Sequence, residues 1–128
     1  MTAPSLDPVT SELVSVDVSV TGPSAVVTAV GEIDSTSAPV LRERLEALLE
    51  GEVTEFTVDL TAVTFLDSAG LCVLAAAHRS AARQDVTMRV LASSRPVIRP
   101  LQITGLWNLL KAERIEAGDA GRQGVGAA

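Results

Sequence analysis

Residues Phe56 to Leu74 constrain this chain more than any other stretch. Phe56, Val58 and Leu60 alternate with Thr57 and Asp59, the period-two pattern of a strand with one buried face. A short loop follows and ends in Asp67-Ser68-Ala69-Gly70. The spacing then predicts a helix over 69–83, with Leu71, Leu74, Ala75 and Ala82 on its apolar face and Arg79 and Arg83 on its wet side. A strand feeding a helix commits the next strand to a parallel, right-handed crossover. The same junction carries one serine hydroxyl, that of Ser68, to the start of a helix.

The rest of the chain supplies partners for that unit. Val14, Val16, Val18 and Val20 alternate with Ser15, Asp17 and Ser19, so the first strand has a wet face. Thr21-Gly22-Pro23-Ser24 is a turn, and Ala25 to Val30 returns as the second strand of an antiparallel hairpin. Gly31-Glu32-Ile33-Asp34 leaves the sheet, and Ser35, Thr36 and Ser37 each offer an N-cap for a first helix. Pro39 suits its first turn. Leu41, Leu45, Leu48 and Leu49 form its apolar stripe, and Gly51 stops it. Val86, Met88 and Val90 mark a fourth strand. Arg95 to Ile103 is a third helix opened by Ser93 or Ser94, and Pro100 should kink or end it. Leu106 to Leu110 is too short to classify.

The expected fold is therefore α/β: a single domain over residues 13–115 with a mixed four- to five-stranded sheet, an N-terminal β-hairpin and about three helices mainly on one face. Residues 1–12 read as a flexible arm, and the Gly-rich residues 116–128 as a disordered tail.

Composition narrows the function classes. Phe56, Phe65 and Trp107 are the only aromatics, so valine, leucine and alanine must fill the core. No row of aromatics is available to stack bases. Up to Asp67 the chain holds 12 acids and 2 bases; from Ser68 onward it holds 4 acids and 8 bases. An acidic first half repels a phosphate backbone, which argues against direct nucleic-acid binding and leaves room for a basic protein partner. Cys72 is the only cysteine, so an internal disulfide is impossible and cysteine-built metal sites are excluded. On a helix among apolar neighbours it reads as a packing residue. The N-terminus lacks the basic start and apolar core of a signal peptide, and the longest apolar run, Leu71 to Ala77, is too short to span a bilayer. A reducing cytoplasm is the expected setting, with no membrane contact.

At Ser68 two readings compete. As structure, Ser and Asp are favoured helix N-caps, and a cap is worth roughly 1 kcal/mol. As chemistry, an anion at a helix N-terminus gains about 0.3–1 kcal/mol from the amide dipoles, so a phosphate added there need not unfold the domain. Capping logic alone favours plain structure.

A family resemblance shifts that balance. Gly31-Glu32-Ile33-Asp34, then Val58-Asp59-Leu60, then Phe65-Leu66-Asp67-Ser68-Ala69-Gly70-Leu71 resembles the STAS domain, and more narrowly the bacterial anti-sigma factor antagonists. Ile103-Thr104-Gly105-Leu106 is similar to the end of that family's third helix. The resemblance covers about residues 13–110. It implies a partner-switching protein: the unphosphorylated antagonist binds an anti-sigma factor that is also a serine kinase, and a sigma factor is released. Phosphorylation by that kinase separates the pair, and a serine phosphatase resets it. By position, Ser68 would be the phosphoacceptor, Asp67, Gly70 and Leu71 would shape its site, and Asp34 would lie near it and contact the kinase. The nucleotide would belong to the kinase, so no cofactor is expected on this chain. The alternative within the family is a non-switching scaffold subunit of a larger signalling or transport assembly.

Catalysis by this chain finds little support. Leu66-Asp67-Ser68-Ala69-Gly70 lacks the first glycine of the esterase serine turn. His78, the only histidine, lies ten residues along the same helix, roughly 15 Å from Ser68 at 1.5 Å per residue. Asp34 and Asp67 read as caps rather than as an acid–base pair, and Trp107 as a packing residue.

Overall fold

The computed structural model describes residues 14–116, so the expectations for the arm and, beyond Glu116, for the tail lie outside the described residues. The chain runs β1 (Val14–Thr21), β2 (Ser24–Ile33), α1 (Ala38–Leu49), β3 (Glu55–Leu66), α2 (Ser68–Arg83), β4 (Thr87–Ala92), α3 (Arg95–Ile103), α4 (Leu106–Leu109) and β5 (Glu113–Arg114). The five strands lie in sequence order across one sheet. β1 and β2 form the expected antiparallel hairpin, and the pairs β2–β3, β3–β4 and β4–β5 are parallel. Leu106 to Leu110, unclassified from sequence, supplies the one-turn helix α4.

The buried positions fall on one face of the sheet. Val16, Val27, Val58 and Val90 are fully buried and belong to the register that carries Ala25 beside Phe56 and Met88. The opposite face keeps Ser15, Asp17, Val26 and Val30 exposed. Unbroken sequence order with right-handed crossovers places successive helices on the same side, which is why a single layer of helices covers the sheet. α1 buries Leu41, Leu45, Leu48 and Leu49 as its stripe required.

Several expectations need correction. Gly31-Glu32-Ile33 does not leave the sheet: β2 runs to Ile33. Nor does β3 stop near Leu60: it continues to Leu66, with no loop before Asp67. β3 has 12 residues against 10 in β2, and the register shifts twice, between Thr28 and Val30 and between Gly31 and Glu32. The buried residues of β3 accordingly change step to Leu60, Val63 and Leu66, a spacing that no longer alternates. Asp59 holds the first irregularity, its carboxylate accepting from the Thr61 amide at 2.9 Å and the Thr61 hydroxyl at 2.6 Å. Gly31 sits at the second with φ 117°, a region that side chains rarely enter.

The buried side of α2 also differs from the predicted stripe. Gly70, Val73, Leu74, Ala77 and Ala81 are buried, whereas Leu71 and Ala75 are half-buried and Ala82 is exposed. The helix is apolar nearly all round, so periodicity selects no face; the close approach at Gly70, described below, does. Cys72 is exposed rather than packed. Pro100 does not end α3, which runs on to Ile103. Burial of Val97, Ile98 and Leu101 outweighs the one backbone bond that proline forfeits.

Candidate functional site

The site lies where β2 and β3 end side by side. Ile33 pairs with Leu66, and the next residues are Asp34 and Asp67. The Asp67 amide donates to the Ile33 carbonyl at 3.1 Å, carrying the alignment one step beyond the ladder. Asp34 and the Asp67–Ser68 junction are thus neighbours, as the sequence reading expected. This is the carboxyl end of parallel strands, where loops of an α/β sheet form crevices.

Ser68 is the first residue of α2 and is exposed. It is not the cap. Asp67 is, with extended backbone and a carboxylate that accepts from the Ala69 amide at 2.9 Å and the Gly70 amide at 3.4 Å. The Ser68 hydroxyl has no hydrogen-bond partner among the described residues. The two readings of the sequence are thereby divided between two residues: Asp67 does the capping, and Ser68 is left free.

The amides at this helix end do not all face outward. Those of Ala69 and Gly70 bind the Asp67 carboxylate, that of Leu71 binds the Asp67 carbonyl at 3.0 Å, and that of Asp67 binds Ile33. Only the Ser68 amide of the turn remains open. An added phosphate would be tolerated mainly because it projects into water. It would meet the Asp67 carboxylate rather than a ring of free amides.

Gly70 faces inward. A Cβ there would collide with Leu66 Cδ1 and lie 2.8 Å from Ile33 Cγ2. Its missing side chain lets α2 sit down on the ends of β2 and β3, which fixes where Ser68 projects. Leu71 is half-buried and packs against the core from the first turn.

Asp34 is held more elaborately. Its Oδ1 accepts from the Thr36 amide at 2.9 Å, the Thr36 hydroxyl at 2.8 Å and the Ser37 amide at 3.1 Å. The Thr36 hydroxyl is the main reason its carboxyl lies below the ordinary carboxylate range; desolvation opposes this, and the Ser37 and Thr36 amides reinforce it. Ser37 is fully buried, and its hydroxyl donates to the Glu32 carbonyl at 2.8 Å while accepting from the Asp34 amide at 2.8 Å. Of the three candidate caps, Ser37 is in cap position but makes no side-chain cap bond; the Asp34 carboxylate organises the turn instead.

Sequence reasoning missed the shallow groove beside Ser68. Ser35, Pro39 and Arg42 on the α1 side face Ala69, Cys72 and Arg79 on the α2 side. Cys72 stands one turn beyond Ser68 on the exposed side of α2. No sequence signal pairs two helix faces across a crossover, although the small residues Ala69, Cys72 and Ala76 at helical spacing indicate a shallow surface. His78, half-buried further along α2, takes no part.

Comparison with known proteins finds relatives of the same fold. The STAS domain model matches residues 15–117. The anti-sigma-B factor antagonist of Listeria monocytogenes is 33% identical over 86 residues, which cover 67% of this chain and 75% of that protein. The crystal structure of an anti-sigma factor antagonist from Mycobacterium paratuberculosis matches with TM-score 0.72 and 30% identity, covering 77% of this chain and 84% of that one. The unphosphorylated form of the antagonist SpoIIAA matches in fold with TM-score 0.68 at 21% identity, covering 88% of this chain and 97% of that one.

Proposed function

The chain belongs to the STAS domain family, and from that premise we propose that it is an anti-sigma factor antagonist whose binding is switched off by phosphorylation of Ser68. Its relatives carry that name. The observation that carries the switch is the division of labour at the start of α2: Asp67 caps the helix, and the neighbouring hydroxyl is exposed and unbonded.

The unmodified protein binds an anti-sigma factor kinase in the cytoplasm, and the sigma factor held by that kinase is released. Asp34, Asp67, Ser68 and Leu71 line or border the contact. Gly70 acts from below by seating the helix. In the transfer step the Ser68 Oγ attacks the terminal phosphorus of ATP bound to the kinase. A new O–P bond forms, the bridge to ADP breaks, and the serine proton passes to a base on the kinase. This chain is the substrate and needs no nucleotide of its own. A serine phosphatase returns the hydroxyl by hydrolysis.

The electrostatics explain why modification would end the complex. Phosphate adds about −1.5 to −2 charges at neutral pH. It is added beside the Asp67 carboxylate and close to Asp34, so a partner that fits the hydroxyl meets a bulky anion among acids. The fold survives because none of the hydrogen bonds at this helix end uses the Ser68 side chain.

The test is incubation with an anti-sigma kinase and ATP, followed by intact-mass measurement and gel filtration. One added phosphate on Ser68 and dissociation of the pair are expected. A stable complex with no phosphate incorporated would favour the scaffold role instead.

A further inference from the structure

A second surface lies at the far edge of the sheet from the hairpin. Arg95 and Arg99 stand one turn apart on α3, with Gln102 completing the same exposed flank. Arg114 arrives from β5, because Ala92 pairs with Arg114 and the Ile115 amide donates to the Ala92 carbonyl at 2.8 Å. These four side chains and the buried Ile98 line a cleft of about 170 Å³. Arg114 makes one loose ion pair with Glu116 at 3.7 Å, and Arg89 on β4 makes another with Glu113 at 3.8 Å. Arg95 and Arg99 have no carboxylate partner among the described residues. Ile103, four residues beyond Arg99, is 72% exposed, more than any other large apolar side chain described.

We propose that this α3–β5 surface docks an acidic segment of a protein partner, with its carboxylates on Arg95, Arg99 and Arg114 and an apolar residue on Ile103. Guanidinium forks bind carboxylates bidentately, and two of these forks are not already committed. Nucleic acid is the poorer occupant. The chain carries a net charge of −6, and its first half repels a long polyanion. A free small anion fits less well, because all three arginines are exposed and none is fixed by burial. Arg95, Arg99 and Arg114 lie on α3 and β5, whereas Ser68 opens α2, so this contact uses different elements from the Ser68 switch.

Fluorescence anisotropy of the full chain with a short labelled peptide of alternating Glu and Leu tests the proposal, at low and at physiological salt. The wild type should bind, more weakly as salt rises. Arg95→Glu/Arg99→Glu should weaken binding roughly tenfold and Arg95→Gln/Arg99→Gln by less, the latter covering the case in which charge reversal disturbs the fold. Arg83→Glu/Lys111→Glu makes the same change in net charge elsewhere and should stay within about twofold of wild type. Equal losses in the two charge-reversal variants, no binding by wild type, or tighter binding of a labelled single-stranded DNA would overturn the proposal. Ser68→Ala should bind the peptide like wild type, so a failed switch and a failed docking surface give different results.

Discussion

Two Asp-Ser turns stand next to each other in this molecule, and they are built alike. In Asp34-Ser35-Thr36-Ser37 and in Asp67-Ser68-Ala69-Gly70 the aspartate carboxylate folds back on the amides two and three residues ahead. The two turns differ at their third and fourth residues. The first turn has Thr36 and Ser37, whose hydroxyls reach Asp34 and Glu32, and its helix begins only at Ala38. The second has Ala69 and Gly70, which bring no hydroxyl, and its helix begins at Ser68 itself. The first turn commits two of its three hydroxyls to structure and leaves only that of Ser35 unbonded in the loop before α1. The second is held by a carboxylate alone and presents its single hydroxyl on the helix end itself.

Phosphorylation should separate the turns most sharply. Ser68→Ala should abolish phosphate incorporation in a kinase assay read by intact mass and keep stability within about 0.5 kcal/mol of wild type. Ser35→Ala, the positional counterpart, should still take a full phosphate. Phosphate on Ser68→Ala would mean that the first turn, with Ser35, Thr36 or Ser37 as acceptor, had been misjudged.

Stability should depend on both turns, through different residues. Gly70→Ala forces a methyl against Leu66 and Ile33 and should cost about 1–3 kcal/mol in denaturant unfolding. Ser37→Ala strips the bonds to Glu32 and Asp34 from a fully buried site and should cost about 1–3 kcal/mol. A neutral Gly70→Ala would show that α2 can shift, and that the contact at Gly70 does not fix the projection of Ser68.

Capping effects should be smaller. Asp67→Ala should cost roughly 1 kcal/mol through loss of the cap, whereas Asp67→Asn keeps an acceptor and should cost less. If charge beside the phosphate helps to expel the kinase, phosphorylated Asp67→Asn should retain more residual binding than phosphorylated wild type. Equal residual binding would reduce Asp67 to its structural role.

The smallest effect is the pH response of the first turn. The Asp34 carboxyl is lowered from its ordinary value of 3.8, so its stabilising bonds are fully present above that value and are lost as pH falls through the lower folded value. The unfolding midpoint of Asp34→Ala should therefore lie below that of wild type at neutral pH, and the gap should close below pH 3.8. A gap that stays constant down to the acid limit would assign the loss to the turn backbone.

The sequence made the hairpin, the α1 stripe and the strand–helix order legible, because those features repeat locally. It also made Ser68 legible, through the motif around it. The continuation of β3 to Leu66 was hidden because the register shifts turn its alternating pattern into steps of three, and that of β2 to Ile33 because no buried residue falls between Ala29 and Ile33. The face of α2 was hidden because alanine on every side carries no period; Ile33 and Leu66 meeting Gly70 decides it, and that contact is long-range. Local sequence also could not show which of Asp67 and Ser68 caps the helix, since both residue types do so.

The most direct measurement is calorimetric titration of the anti-sigma kinase into this protein, unmodified and phosphorylated at Ser68, with thermal melts of both forms. The switch predicts tight binding by the first form, loss of binding by the second, and nearly equal melting temperatures. Equal affinities for the two forms, or a phosphorylated form that melts far below the other, would contradict it.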